Sequence, residues 1–279
     1  MGPGTRELKE RVREYYDRHG WRSLDNGSLV DVRLFVDQRE VSQAYRTKER
    51  RRDRELLPAK GRFFLDAASG ALPYVDYSEE WEHHVCVDFS ITGLREARRR
   101  SGLGSRGLYV NADVCHLPFA SGTFEAVLSA HTLYHIPQQG QAEASAELLR
   151  VLAPEGTLLI LYSNINSLSF RIKRLWEWLT GHPVTLWRPV EVPKVFSEVL
   201  PRQKLEAMIR DAGGSPVFRC HSFMSQQMLQ RLIPNNRLGR WVLRVVYWFE
   251  TTCTSLAMPL GHYFSIQVRK SETPPEHTR

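Results

Sequence analysis

Three aspartates stand at the ends of short apolar runs that read as strands. They are Asp66 in LDAASG, Asp88 in VCVDFS and Asp113 in NADVCHLPF. An ionised carboxylate accepts hydrogen bonds on two oxygens, so Asp88 can hold both hydroxyls of a ribose and Asp113 can accept from an adenine amino group. Asp66 can fix the turn after its strand or reach a ligand's ammonium group. Each aspartate alone is more simply a strand-end residue, but three in this order predict a site for an adenosine-bearing ligand.

A tight turn of small residues, AASGA (67–71), follows the first of these strands. Small side chains let a ligand approach the backbone, and Gly70 can adopt a positive φ. The turn lacks the G-x-G-x-x-G pattern, and a pyrophosphate would need more open backbone amides than it offers. The turn therefore disfavours a nicotinamide-dependent oxidoreductase.

His131, Tyr134 and His135 follow the fourth apolar run. Their spacing places them on one face if a helical turn follows the strand. Histidine titrates near neutral pH and could take a proton from an attacking hydroxyl or amine. These three are the candidate catalytic residues. The alternative is that His131 orders a ligand while Tyr134 and His135 pack against the sheet.

Short apolar runs alternate with helical stretches along residues 61–270. This alternation predicts an α/β fold with a Rossmann-like sheet of seven mostly parallel strands, covered by helices on both faces. The predicted strands are 62–67, 84–89, 107–113, 124–131, 156–163, 216–223 and 262–270. The predicted helices between strands are 91–101 and 140–152.

Three further segments complete the predicted organisation. Residues 1–60 form an N-terminal helical cap, with helices near 5–18 and 37–56, and residues 271–279 form a flexible tail. Helical insertions cover about 164–200, after strand 5, and about 224–258, between strands 6 and 7. Because ligands bind beyond the carboxyl ends of the strands in such sheets, these insertions are placed to build a substrate lid.

The segment 113–137 continues with Leu117-Pro118-Phe119 and Phe124-Glu125, and LLRVLAPEG (148–156) follows it. Together with the acidic strand ends, this series resembles the class I S-adenosylmethionine-dependent methyltransferases, and is most similar to the quinone-biosynthesis-type (type 11) small-molecule methyltransferases. The resemblance spans roughly residues 62–163. Of the three glycines usual in the family's turn only Gly70 is present, and Glu125 and Glu155 replace the usual aspartate and glycine.

The resemblance implies S-adenosyl-L-methionine as cofactor and assigns a role to each matching residue. Ala68 and Gly70 would let the methionine part of the cofactor pass over the turn. Asp88 would hold the ribose, and Phe89 and Ser90 would line the adenosine. Asp113 and Val114 would contact the adenine, and Ala130 and His131 would border the sulfonium. The aromatic residues of the leading helices either cap this pocket or pack on the sheet; they are Tyr15, Tyr16, Trp21 and Tyr45.

Composition leaves several partners open. The chain has 279 residues, a formal net charge of +7 and four cysteines, and the cysteines are too far apart for a zinc knuckle or a disulfide scaffold. The basic run RTKERRRDR (46–54) is most simply a solvated helix face, with polyanion binding as the alternative. Residues 241–260 hold only two charges, Arg244 and Glu250, which indicates a buried helix or pocket wall, with shallow membrane contact as the alternative.

We expect direct, metal-independent transfer of a methyl group to an O or N atom of a small-molecule acceptor. The alternatives are an RNA or protein methyltransferase, and a non-catalytic S-adenosylmethionine-binding protein. A lipid-like acceptor stays open. The polar N-terminus has no apolar signal-peptide stretch, so a cytoplasmic location is the default expectation. The sequence indicates neither the acceptor nor the oligomeric state.

Overall fold

The fold is built on one seven-stranded sheet. The computed structural model describes residues 3–182 and 196–270. The strands lie in the order β3-β2-β1-β4-β5-β7-β6, and all neighbours are parallel except β7, which runs antiparallel to β5 and β6. The strands are β1 (Lys60–Ala67), β2 (Glu80–Asp88), β3 (Gly107–Asn111), β4 (Phe124–Ala130), β5 (Leu152–Ser163), β6 (Gly214–Ser222) and β7 (Tyr263–Lys270). The predicted seven-stranded, mostly parallel sheet is confirmed.

Ten α-helices occur within the described residues. They are α1 (Pro3–Tyr15), α2 (Val30–Phe35), α3 (Glu40–Arg54), α4 (Ile91–Arg100), α5 (Gln138–Val151), α6 (Leu168–Thr180), α7 (Arg202–Asp211), α8 (Gln226–Leu232), α9 (Arg237–Thr252) and α10 (Thr254–Leu260). The predicted helix near 5–18 is α1 followed by a π-helical turn, Tyr16–Gly20, and the one near 37–56 is α3. The sequence did not indicate α2.

The central strands are apolar on both faces because both faces are covered. Leu65 of β1 and Val127 of β4 belong to the core that includes Leu148 of α5 and Leu205 of α7. Phe64 points the other way, because successive side chains alternate across a strand. It packs in a second cluster that holds Tyr77, Trp81, Leu128 and Leu159.

Two connections are shorter than a full βαβ unit. Only a 3₁₀ turn, Val75–Tyr77, links β1 to β2, as the poor helical pattern there suggested, and no helix lies between β3 and β4. Leu57, which follows α3, joins Tyr77 and Trp81 against the sheet where a crossover helix would otherwise pack.

The two insertions are helical where they are described. Residues 164–182 and 196–200 contain α6, while residues 183–195 and the predicted tail 271–279 lie outside the described residues. The expectation of a buried helix within 241–260 is wrong for most of α9: Leu243 and Glu250 are buried, but Trp241 and Trp248 are 60% and 57% exposed. Only the face of α9 that carries Leu243 packs inward, against Val41 and Tyr45 of α3 and Leu229 of α8.

Candidate active site

A cavity of about 1510 Å³ lies over the carboxyl ends of β1 to β4. The strand order reverses between β1 and β4, and such a switch point is where open α/β sheets bind ligands. Most of the residues predicted from the sequence line this cavity: Ala68, Gly70, Asp88, Phe89, Asp113, Val114, Ala130, His131, Tyr134 and His135. Two of the predicted residues, Asp66 and Ser90, do not line it.

The turn after β1 keeps a glycine-type backbone with fewer glycines. Ala68 has φ 62° and Gly70 has φ 57°, so both adopt the left-handed conformation that costs a residue with a Cβ about 1–2 kcal/mol. A Cβ on Gly70 would lie 2.5 Å from Cζ2 of Trp21. Gly70 is therefore required both by its φ and by the close approach of Trp21, whereas Ala68 is strained.

Asp88 joins this turn to the end of β2. Its Oδ2 accepts the Gly70 N–H at 2.8 Å, and its Oδ1 accepts the Ser90 N–H at 2.8 Å. Burial raises the pKa of the Asp88 carboxyl to about 6 despite these two bonds. Each oxygen keeps a lone pair for a further donor, so the group can still accept two hydroxyls from a ligand.

Asp66 and Ser90 stabilise the turns behind the cavity. Asp66 accepts the Tyr74 N–H at 2.8 Å and lies 3.5 Å from Nε2 of His84. The Ser90 hydroxyl caps α4 by accepting the Gly93 N–H at 3.0 Å, and it donates to Asp17 at 2.6 Å. Asp66 fixes the turn after β1, which is one of the two roles predicted for it. Ser90 instead caps a helix, whereas the sequence predicted that it lines the adenosine.

Asp113 is held by the N-terminal cap. Lys9 of α1 donates to its Oδ2 at 2.8 Å, and the Cys115 N–H donates to Oδ1 at 2.9 Å. Burial alone would raise the pKa of the Asp113 carboxyl, but these hydrogen bonds outweigh it and hold the pKa below its ordinary value. Helix α1 thus closes one side of the cavity through an ion pair with a predicted ligand-binding residue.

Aromatic side chains of the leading segment form part of the cavity wall. Tyr15, Tyr16 and Trp21 line it, and the rings of Tyr16 and Trp21 stack with centroids 5.3 Å apart. Tyr45 does not line it; this residue is buried and its hydroxyl donates to Glu250. The structure therefore places three of the four predicted capping aromatics at the cavity.

His131, Tyr134 and His135 come together after β4, where Leu133–His135 forms the expected helical turn. Burial, aided by the nearby His221, lowers the pKa of His131 to about 3, and its Nδ1 has no partner among the described residues. Nδ1 of His135 donates to the Phe196 carbonyl at 2.8 Å, and burial lowers its pKa as well. Both imidazoles are neutral at physiological pH and are weak bases.

Part of the chain is similar in sequence to known methyltransferases. A family model described as "Methyltransferase domain" matches residues 65–160. The chain is 34% identical over 110 residues to a demethylmenaquinone methyltransferase of Clavibacter sepedonicus, covering 38% of this chain and 43% of that protein. It is 37% identical over 103 residues to the one of Thermobifida fusca (strain YX), covering 36% and 43%.

The fold is similar to a solved structure of magnesium protoporphyrin IX methyltransferase from Synechocystis PCC 6803 with bound SAH. The two structures superpose with a TM-score of 0.58 at 13% sequence identity, and the match covers 94% of this chain and 100% of the other. The chain contains a class I methyltransferase domain. The match covers less than half the length of the curated relatives.

The methyltransferase domain fits S-adenosylmethionine, the cofactor of its class, on observations of this structure. The turn at Ala68–Gly70 carries only small side chains of its own, and each carboxylate oxygen of Asp88 can accept a further hydrogen bond. Several buried polar atoms of the residues that line the cavity lack a partner among the described residues, and Oγ of Ser69 and Nδ1 of His131 are two of them. Because unsatisfied buried polar atoms are costly, a polar ligand there is favourable.

The sequence did not reveal a second group of cavity residues, which lies outside the matched segment. Arg46, Glu49 and Arg50 of α3 line the cavity, as do His221 and Tyr263. The expectation that residues 46–54 form a solvated helix face therefore holds only for Thr47, Lys48 and Arg51, which are exposed, and is wrong for the rest of the run. A signal was present: the buried residues Val41, Tyr45, Glu49 and Asp53 recur every four positions along α3, which is the period of one helix face.

Proposed function

We propose that this chain transfers a methyl group from S-adenosylmethionine to an O or N atom of a small-molecule acceptor by direct displacement. The observation that carries the proposal is one continuous cavity that joins the Gly70–Asp88 turn to polar and aromatic side chains beyond His131. A nucleoside-bearing cofactor suits the first part and an acceptor the second.

The chain's own side chains would do most of their work by positioning. Asp88 accepts the ribose hydroxyls, Asp113 and Val114 meet the adenine, and Ala130 and His131 border the reacting group. When bound, the cofactor supplies a methyl group on a positively charged sulfonium, which is already a strong electrophile. A neutral His131 is favourable beside the sulfonium, because a positively charged imidazolium would repel the sulfonium charge. Alignment of the two reactants can lower the barrier by roughly 7–11 kcal/mol.

Three features support a small acceptor over RNA or protein. Its pocket is walled by His131, Tyr134 and Tyr263. Two arginines of the basic run, Arg46 and Arg50, line the cavity and so do not contribute to an open basic face. The names of the curated relatives describe a quinone-type acceptor.

Exposed apolar side chains on α6 and α9 favour an acceptor that is delivered from a membrane. Trp178 of α6 is 79% exposed and Trp241 of α9 is 60% exposed, and exposed arginines accompany them, among them Arg171 and Arg240. Tryptophan and arginine together are typical of helices that lie in the interface of an anionic bilayer. Among the described residues, no helix has the length and apolar character to cross a bilayer. We infer that these two helices dock on an anionic lipid surface.

Calorimetry with S-adenosylhomocysteine tests the cofactor site. Asp88→Ala and Asp113→Ala should each weaken binding by about 10-fold or more, because each removes a hydrogen bond to a charged group worth roughly 1.5–3 kcal/mol. Asp211→Ala, on the exposed surface of α7, is the matched control. Undiminished affinity in the two folded cavity variants would contradict the proposed pocket.

Transfer of a labelled methyl group from S-adenosylmethionine then separates an enzyme from a non-catalytic binding protein. The enzyme proposal predicts label in an extracted small molecule. Binding of the cofactor without transfer to any extract would favour the binding protein.

A further inference from the structure

A histidine and an aspartate form a buried pair beyond His131. Nδ1 of His221, near the end of β6, lies 2.5 Å from Oδ2 of Asp53 on α3. The other Asp53 oxygen accepts the hydroxyl of Ser265 at 2.6 Å. Asp53 is fully buried, so its carboxylate is fixed by both partners. Because a carboxylate accepts, Nδ1 of His221 carries the proton and Nε2 is left as the basic nitrogen.

The basic nitrogen of His221 is available to a ligand. The side chain lines the cavity and retains 10% exposure there, and no described residue forms a hydrogen bond with Nε2. Its ring centroid lies 5.8 Å from that of His131 and 6.2 Å from that of Tyr263. An acceptor placed against these rings on the side that faces the cavity would bring its reacting atom close to Nε2.

The charges around His221 make it the strongest base on this wall. It is faced by Asp53, Glu49 and Arg52 of α3, by Glu250 of α9 and by His131. Burial lowers the pKa of His221, but the hydrogen-bonded carboxylate of Asp53 raises it by more, against the opposing charge of Arg52, so that the pKa lies above its ordinary value. The pKa values of His131 and His135 are instead lowered by burial.

We propose that His221, oriented by Asp53, is the general base of the methyl transfer and that the acceptor is a hydroxylated aromatic ring. The inference rests on the proposed methyltransferase function. The acceptor oxygen forms its bond to the methyl carbon while its proton moves to Nε2 of His221. The electron pair of the broken C–S bond stays on sulfur, giving a methyl ether and a neutral thioether, and the proton then leaves Nε2 to solvent.

Glu49 supplies a second polar contact in the same pocket. It lies one helical turn before Asp53, it is buried, and its Oε1 has no partner among the described residues. Burial raises the pKa of its carboxyl, so this group can donate a hydrogen bond from its protonated form. With Tyr263 beside it, the pocket suits a flat ring that carries an oxygen next to the reacting hydroxyl.

Titration of the histidine rings tests the pair without knowledge of the acceptor. In ¹⁵N-histidine-labelled protein saturated with S-adenosylhomocysteine, His221→Gln assigns the signals by NMR. We expect neutral His221 to be protonated at Nδ1, to titrate above the ordinary histidine value, and to shift to lower pH in Asp53→Asn. Protonation at Nε2, or titration below the ordinary value, would overturn the proposal. Calorimetry on the same sample distinguishes failure of the proposed cofactor site from failure of the His221–Asp53 pair. Absence of S-adenosylhomocysteine binding would contradict the cofactor site but would not contradict the pair.

Kinetics with 1,2-dihydroxynaphthalene as the probe acceptor test the catalytic step. His221→Gln should lower kcat by about 10²–10⁴-fold with an unchanged KM for S-adenosylmethionine, and exposed His116→Gln should match the unsubstituted protein. Because the base must be neutral, Asp53→Asn should move the acidic limb of the kcat profile to lower pH, which a purely structural role would not do. An unaltered kcat in His221→Gln overturns the base, and no methylation of the probe overturns the assigned acceptor class.

Discussion

At the scale of single residues, Asp88 combines two properties that conflict without a ligand. It is buried, which raises its pKa to about 6, and it is placed to accept hydroxyl groups, which its ionised form does best. For a carboxyl with a raised pKa in the folded state, the stabilising contribution is complete below the ordinary pKa and is lost as pH rises through about 6. At neutral pH the ligand-free protein therefore holds a charge that bound hydroxyls would stabilise.

Cofactor affinity should consequently depend on pH through Asp88. We expect the Kd of S-adenosylhomocysteine to increase by about 10-fold for each pH unit below about 6 and to be constant above it, because only the ionised carboxylate accepts both hydroxyls. Calorimetry across this range measures the effect. Asp88→Asn should bind more weakly and without this pH dependence. A constant Kd in the unsubstituted protein through pH 6 would rule out ionisation of Asp88 as the determinant.

At the scale of elements, the sequence predicted each strand and most helices because their patterns are local. Apolar runs at both faces of a strand, and the glycine after α4, can be recognised within a dozen residues. The role of α3 could not be recognised in this way. Glu49 and Asp53 are buried because His221, Ser265 and Glu250 lie against them, and those partners are about 170 to 210 residues away in the chain. A charged run therefore suggested a solvated face although its four-residue period was visible.

The N-terminal cap depends on a contact of the same long-range kind, between Lys9 of α1 and Asp113. Lys9→Met removes a charged hydrogen bond that is partly exposed, so we expect the docking of α1 to weaken by about 1 kcal/mol. Hydrogen exchange should show about 5-fold faster exchange in α1 and no change in the central strands. Arg13→Met is the control on the same helix, because Arg13 forms an ion pair with the exposed Glu10 of α1. Equal protection of α1 in both variants would show that the ion pair does not hold the cap.

At the scale of the whole molecule, the topology gathers the site and the insertions at one edge. β5 and β6 end at this edge and the antiparallel β7 begins there, so α6 and the helices α8 to α10 all connect to strands beside the cavity. This placement follows from the strand order, whereas the sequence pattern predicted only a mostly parallel sheet with insertions after strand 5 and between strands 6 and 7. The exposure of Trp178 and Trp241 could not be predicted, because an apolar helix face is buried or exposed according to which elements pack against it.

Membrane docking by these two helices predicts binding to anionic vesicles. The protein should co-sediment with vesicles of phosphatidylglycerol and phosphatidylcholine. It should bind vesicles of phosphatidylcholine alone more weakly and be released from anionic vesicles by high salt, because each basic residue near an anionic surface contributes about 1 kcal/mol. Trp178→Ser combined with Trp241→Ser should weaken binding by at least about 10-fold, because both indoles lose their interfacial burial. Leu108→Ser, an exposed apolar residue on β3 at the other side of the sheet, should leave it unchanged. Equal binding by the double tryptophan variant and by Leu108→Ser would place the lipid contact elsewhere. Loss of binding in the double tryptophan variant alone would mean that the sheet edge with the proposed cofactor site also faces the membrane.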